Sequence, residues 1–187
     1  MRVLVIPEDF RNDQYILKPI FTRLFRSIGK RRVRVEICLD PLLGGVGEAL
    51  KRERIEEVIS KHEGMTDIFI LCIDRDGDTN RRQRLKQIEK KFGDTRVFLA
   101  ENAWEEIETW VLAGLDLPPD WTWRTVRSEV QVKETYFEPL VAQLNLSDTP
   151  GSGRKPLGEK ASRRIDAIRQ KCPEDFDCLA RRIEDAI

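Results

Sequence analysis

Histidine is almost missing from this chain: of 187 residues only His62 is one, and it stands between Lys61 and Glu63 at a predicted helix end, the place of a surface residue. The four cysteines, Cys38, Cys72, Cys172 and Cys178, contain no Cys-x-x-Cys pair. Tetrahedral zinc sites are built from closely spaced Cys and His, so the sequence argues against one. Cys38 and Cys72 fall inside apolar runs and Cys172 and Cys178 flank the turn Pro173-Glu174-Asp175-Phe176-Asp177. All four read as reduced core thiols of a cytoplasmic protein. Net charge is lacking as well: 33 basic residues balance 33 acidic ones. A general basic coat for polyanions is therefore excluded, and any nucleic acid must be gripped locally. No apolar segment approaches the roughly 20 residues of a membrane span. The N-terminus enters a strand with no signal-peptide pattern, so no membrane partner is expected. Repeats and low-complexity tracts are absent.

What is there is a run, Asp67 to Ile73, that is apolar after its first residue and ends in Asp74-Arg75-Asp76-Gly77-Asp78. Such a run reads as a strand buried on both faces, its tip opening into a cleft. If the chain stays extended, Asp74 and Asp76 point to one side and form an oxygen pair suited to a hard divalent cation. Crowded carboxylates raise one another's pKa unless a cation neutralises them. A solvated acidic turn is the plain alternative. Asp74, Asp76 and Asp78 also match the first three ligands of an EF-hand loop, but Thr79 stands where that loop needs Gly and a strand precedes it. The stretch further resembles the first motif of haloacid-dehalogenase-type phosphatases, with Asp74 as nucleophile. There Thr or Val usually stands where Asp78 is, and the motif opens the domain.

Along the chain, Val3 to Ile6 predicts a first strand closing on Glu8, and Tyr15 to Ile28 a helix with a kink at Pro19 and a stop at Gly29. Val33 to Leu39 predicts a second strand, followed by the pair Gly44-Gly45, which permits positive φ or close backbone approach. A charged helix is expected from Glu48 to near Gly64. After the acid cluster, Arg81, Arg82 and Arg84 open a helix stopped by Gly93. Val97 to Leu99 form a fourth strand ending at Glu101. A helix then follows on which Glu101, Glu105 and Glu108 form an acidic ridge beside an apolar stripe. Alternating strands and helices predict an α/β fold with a mainly parallel four-stranded sheet over residues 1–115, and a helical extension over 116–187 packed on it. In the extension, a Gly-Ser-Gly loop carries Arg154 and Lys155, and two helices, 158–171 and 173–186, close the chain. Ligands of such sheets bind beyond the strands' carboxyl ends, where Glu8, Asp74, Asp76 and Glu101 are expected.

This ordered set resembles the Toprim domain, in which a Glu closes the first strand, a Gly turn follows the second and Asp-x-Asp closes the third. Here Val3-Leu4-Val5-Ile6-Pro7-Glu8, Gly44-Gly45 and Ile73-Asp74-Arg75-Asp76 look like those three motifs. The segment from Glu8 to Leu17, with Asp13 five residues after the Glu, and the segment Glu105 to Ala113 are similar to OLD-type and stand-alone members. No topoisomerase Tyr or primase domain has a counterpart. The resemblance implies a Mg²⁺-dependent, or Mn²⁺-dependent, nuclease acting on DNA or RNA, in a setting such as defence against mobile elements. Glu8, Asp74 and Asp76 would be catalytic, and Glu8, Asp74, Asp76, Asp78, Glu105 and Glu108 metal ligands. Arg81, Arg82, Arg84, Arg154 and Lys155 would contact phosphates. A metal-binding regulatory partner of an ATPase and a phosphomonoesterase are the alternatives, and a homo-oligomer is compatible with either.

Overall fold

The protein is described by a computed structural model that covers residues 1–40 and 45–187. Four strands form one sheet: β1 (Arg2–Pro7), β2 (Arg34–Ile37), β3 (Ile68–Asp74) and β4 (Val97–Ala103). All pairings are parallel, in the order β2-β1-β3-β4. The expected fold class is the one adopted: α/β, with helices on both faces and a C-terminal helical segment, consistent with a Rossmann-like, Toprim-type core.

Alternation along the strands divides the apolar residues between two layers. Val3, Val5, Ile70 and Cys72 face α1 (Phe10–Ser27), whose Ile16, Leu17, Ile20, Phe21 and Leu24 recur at helical spacing. Leu4, Ile6, Phe69, Leu71 and Ile73 face the other way, toward α3 (Arg52–His62) and α4 (Arg81–Phe92), with the short α2 (Val46–Ala49) ahead of them. The helix expected from Glu48 to Gly64 is thus two pieces, parted at Lys51, whose backbone is extended. Among the described residues, no helix is long and apolar enough to cross a membrane.

The remaining helices, α5 (Glu108–Ala113), α6 (Trp123–Ser128), α7 (Glu138–Gln143), α8 (Arg154–Ser162), α9 (Ile165–Lys171) and α10 (Cys178–Ala186), follow β4. Single π-helical turns at Lys133–Phe137 and Pro173–Asp177 lead into α7 and α10. The helix expected over 158–171 begins earlier, at Arg154, and breaks between Ser162 and Ile165. Residues of the 116–187 segment share the α1-side core: Trp110 meets Phe176 edge-on at 5.0 Å and Phe21 at 6.5 Å. Burying such a side chain contributes about 1.5–3 kcal/mol. The helices α1 and α8 approach closely because residue 158 is glycine: a Cβ there would lie 2.6 Å from the Tyr15 carbonyl oxygen. Pro19, which has no N–H to give that carbonyl, lies inside α1.

Candidate active site at the carboxyl edge of the sheet

The strand register brings the acids together. Pro7 pairs with Cys72 and Cys72 with Glu101, so Glu8 emerges from β1 beside the point where β3 ends at Asp74. Asp74 is fixed by the Ile107 backbone N–H, which donates to its Oδ1 at 2.8 Å. Beyond Asp74 the chain turns at once. Asp76 has φ 51° and Gly77 φ 69°, both left-handed. The extended backbone that would have put Asp74 and Asp76 on one side is therefore not present. Asp76 stands on the outer side of the turn with its side chain 46% exposed, 3.8 Å from Arg81.

Glu105 makes that turn. Its carbonyl accepts the N–H groups of Arg75 (2.7 Å) and Asp76 (3.1 Å), and its carboxylate accepts the Gly77 N–H at 2.7 Å and pairs with the Arg75 guanidinium. Glu105 itself is buried at φ 66°. The predicted ridge of Glu101, Glu105 and Glu108 is corrected here. The strand β4 runs on to Ala103, so Glu101 is a strand residue, Glu105 a left-handed loop residue and Glu108 the first residue of α5. Glu101 is buried against Arg182 (2.7 Å) and Arg82 (3.3 Å).

Glu8, Asp13, Asp74, Glu106 and Glu108 line one small cavity of about 110 Å³, with Lys133 and Arg154 as its cations. Glu8 Oε2 is buried and has no hydrogen-bond partner. Burial, and then the Asp76 charge, raise the Glu8 carboxyl above its ordinary range, while Arg81 and the backbone at Val46 and Asp74 pull the other way. Asp13, 8% exposed, is pushed up to about 8, first by burial and next by Glu108, with Asp9 and Glu8 adding to it. Its Oδ2 accepts the Asp9 N–H at 3.1 Å. Asp74 is raised well above the carboxylate range by burial, Glu108, Asp13 and Glu8, against the Ile107 N–H. Glu106 rises to about 7 by burial, although the Lys133 N–H donates to it at 2.5 Å. Glu108 is held by Arg154, whose Nε and Nη2 reach one carboxylate oxygen at 2.9 and 2.5 Å.

Among the predicted site residues, Glu8, Asp74, Glu108 and Arg154 are brought to this cavity; Asp76, Asp78 and Glu105 belong to the turn beside it. Asp78 Oδ1 accepts the Asn80 N–H at 2.9 Å, ahead of α4. Arg81 is buried over the turn, 3.6 Å from Asp78, and Arg82 faces Glu101. Arg84 is exposed, 3.7 Å from Asp78. Arg154 is a buried first residue of α8 in place of a loop cation, while Lys155 is exposed. Gly45 has φ 99°; Gly44 lies outside the described residues. Asp13, Glu106 and Lys133 were not among the predicted site residues. Asp13 does have a signal, an acid in line with the apolar stripe of Ile16, Leu17 and Ile20.

Among the described residues, no three His, Cys, Asp or Glu side chains are arranged to hold a metal ion together. The donor set nevertheless suits a hard cation such as Mg²⁺, which takes one or two carboxylates and keeps its waters. The oxygens are of the right kind, one of them is buried without a partner, and the pKa values of Glu8 and Asp74 are raised first by burial and then by neighbouring carboxylates, a repulsion that a cation relieves. Comparison of the chain with family models, with curated proteins and with solved structures finds no match.

Proposed function

We propose that the chain is a Mg²⁺-dependent phosphodiesterase acting on nucleic acid. The observation that carries this reading is the unpartnered, buried Oε2 of Glu8 in a carboxylate cluster at the carboxyl edge of a parallel sheet. Glu8 and Asp74 would hold the ion, with Asp13 as a further oxygen donor. Bound there, Mg²⁺ or Mn²⁺ supplies Lewis-acid polarisation of a phosphoryl oxygen and lowers the pKa of water.

The chain's own residues have defined tasks in this reading. The Ile107 N–H keeps Asp74 in one orientation. Glu8 offers the ion its buried Oε2, which no protein donor occupies. Arg154 neutralises Glu108 and so limits the negative charge that an incoming phosphate meets. Lys133, which lines the same cavity and pairs with Glu134 at 2.9 Å, attracts that phosphate. The small cavity admits a phosphate group and few waters.

Incubation with single- and double-stranded DNA and RNA in Mg²⁺ or Mn²⁺ tests the proposal. Cleavage that disappears on chelation, and in Glu8→Gln and Asp74→Asn, supports it. Cleavage that survives both substitutions, or no cleavage of any nucleic acid by the folded protein, overturns it.

A further inference from the structure

The sheet face opposite the C-terminal helices carries a second recess, between the start of α3 and the outer side of α4, of about 410 Å³. Its floor is apolar: Leu50 and Ile88, half-buried on the core beneath, and the edge of Phe92. Its rim is basic, with Arg52, Arg84 and Lys91 standing around that floor. The Arg52 side chain, 59% exposed, pairs with Glu56 at 2.5 Å, a solvent-exposed i,i+4 contact worth little; Arg84 is 60% exposed and Lys91 is exposed as well. The sequence of α4, RRQRLKQIEKKF, holds six basic residues and one acid in a chain whose formal charge is zero. Positive charge is thus concentrated on this helix, which an evenly charged solvated face would not require.

Arg84 belongs to both places. Its Nη1 lies 3.7 Å from Asp78 Oδ2, so the rim of the recess continues into the turn that begins at Asp74. A phosphate chain lying along Lys91, Arg52 and Arg84 would arrive at the acid turn.

We propose that this recess binds single-stranded nucleic acid, one unstacked base against Leu50, Ile88 and Phe92 and the flanking phosphates on Arg52, Arg84 and Lys91. The inference rests on the phosphodiesterase reading and names its substrate class. A single strand offers apolar base faces and phosphates in alternation, which an apolar floor inside a basic rim complements. A duplex keeps its bases stacked and presents only its backbone to such a rim, leaving the floor unused. An acidic peptide would satisfy the cations, but helical peptides use long grooves with several apolar anchors. A recess near the lower end of small-ligand volumes fits one nucleotide better.

The test is fluorescence anisotropy of labelled single-stranded oligothymidylate with the full chain in EDTA, where metal-dependent cleavage does not consume the probe. Expected are binding at least about tenfold tighter than to a duplex of equal length, and a loss of about tenfold or more in the charge-reversed Arg52→Glu/Lys91→Glu variant. The salt dependence should fall too. Two lost single-strand phosphate contacts reduce the log–log slope by about 1.4. Arg52→Gln/Lys91→Gln, a milder change at two exposed positions, should lose affinity in the same direction. Unchanged affinity and slope in both double variants, equal affinity for duplex, or displacement of the probe by polyglutamate but not by unlabelled oligothymidylate overturns the inference. Cleavage by wild type with unchanged binding in the variants removes the recess and keeps the phosphodiesterase reading. Variant-sensitive binding without any cleavage in Mg²⁺ or Mn²⁺ removes the enzyme and leaves a single-strand binding site.

Discussion

Asp175 and Trp104, 71 residues apart, are joined by a hydrogen bond of 2.8 Å from the Trp104 backbone N–H to the Asp175 carboxylate. The same carboxylate accepts the Trp110 indole N–H at 2.7 Å and pairs with Arg127 at 2.6 Å. Arg127 and Arg75 both lie over the Trp104 ring, at 5.2 and 4.1 Å. A carboxylate from the turn ahead of α10 thereby anchors the residue before Glu105, and Glu105 shapes the Asp74–Gly77 turn. Removing it leaves the partly buried Arg127 with only the exposed Glu174. Asp175→Ala is expected to cost about 3–5 kcal/mol in urea unfolding, the usual loss when one partner of a buried pair is removed. Asp175→Asn keeps an acceptor and should cost about 1–3 kcal/mol. Equal stability of wild type and Asp175→Ala would show that the anchor contributes nothing.

In the phosphodiesterase reading, Glu105 would act on the bound ion without touching it. Groups that orient metal ligands typically change metal affinity about 10–100-fold when removed. Glu105→Ala frees the N–H of Gly77 and the guanidinium of Arg75, so Mg²⁺ affinity measured by calorimetry should drop within that range. Asp74→Asn should abolish the binding signal. A larger loss in Glu105→Ala than in Asp74→Asn would reverse the assigned roles.

The strands and most helices could be read from the sequence because their signals are local: an unbroken apolar run for β3, a 3.6-residue stripe for α1. The same locality accounts for the misread parts of the site. The Asp-x-Asp spacing implies a shared face only on an extended chain, and the turn after Asp74 is imposed by Glu105, 28 residues beyond Gly77. Arg154 looks like a loop cation beside two glycines until Glu108, 46 residues away, draws it into the core. Both interactions are made by tertiary contacts that no local pattern encodes. Asp13 was open to detection, since an acid in line with a buried stripe needs a partner or a proton.

That proton gives the next prediction. Asp13 has a carboxyl of about 8 in the fold against an ordinary 3.8. As pH rises, the unfolded chain loses this proton first, so native stability falls between about pH 4 and pH 8 and then levels off. Asp13→Asn removes the effect. In EDTA it should melt higher than wild type at pH 8, by about 2–4 °C for each kcal/mol regained, and nearly level with it at pH 4. If the proposed site holds Mg²⁺, saturating Mg²⁺ at pH 8 should narrow the gap, because the cation would take the place of the proton in wild type. A variant melting lower than wild type at pH 8 would mean that Asp13 is stabilised as an anion.

The last prediction concerns the pair Arg154 and Glu108, whose side chains are 9% and 5% exposed. Breaking such a pair from one side strands a buried charge, at a cost of about 3–5 kcal/mol. Arg154→Met should therefore destabilise strongly at pH 8. Glu108→Gln in the Arg154→Met background should recover much of the loss at pH 8, since no charge is then left alone. The coupling in this double-mutant cycle, read by urea unfolding, should be large. A defect that Glu108→Gln does not relieve would mean that Arg154 matters for packing against Phe137, whose ring centre lies 5.4 Å from its guanidinium, more than for charge.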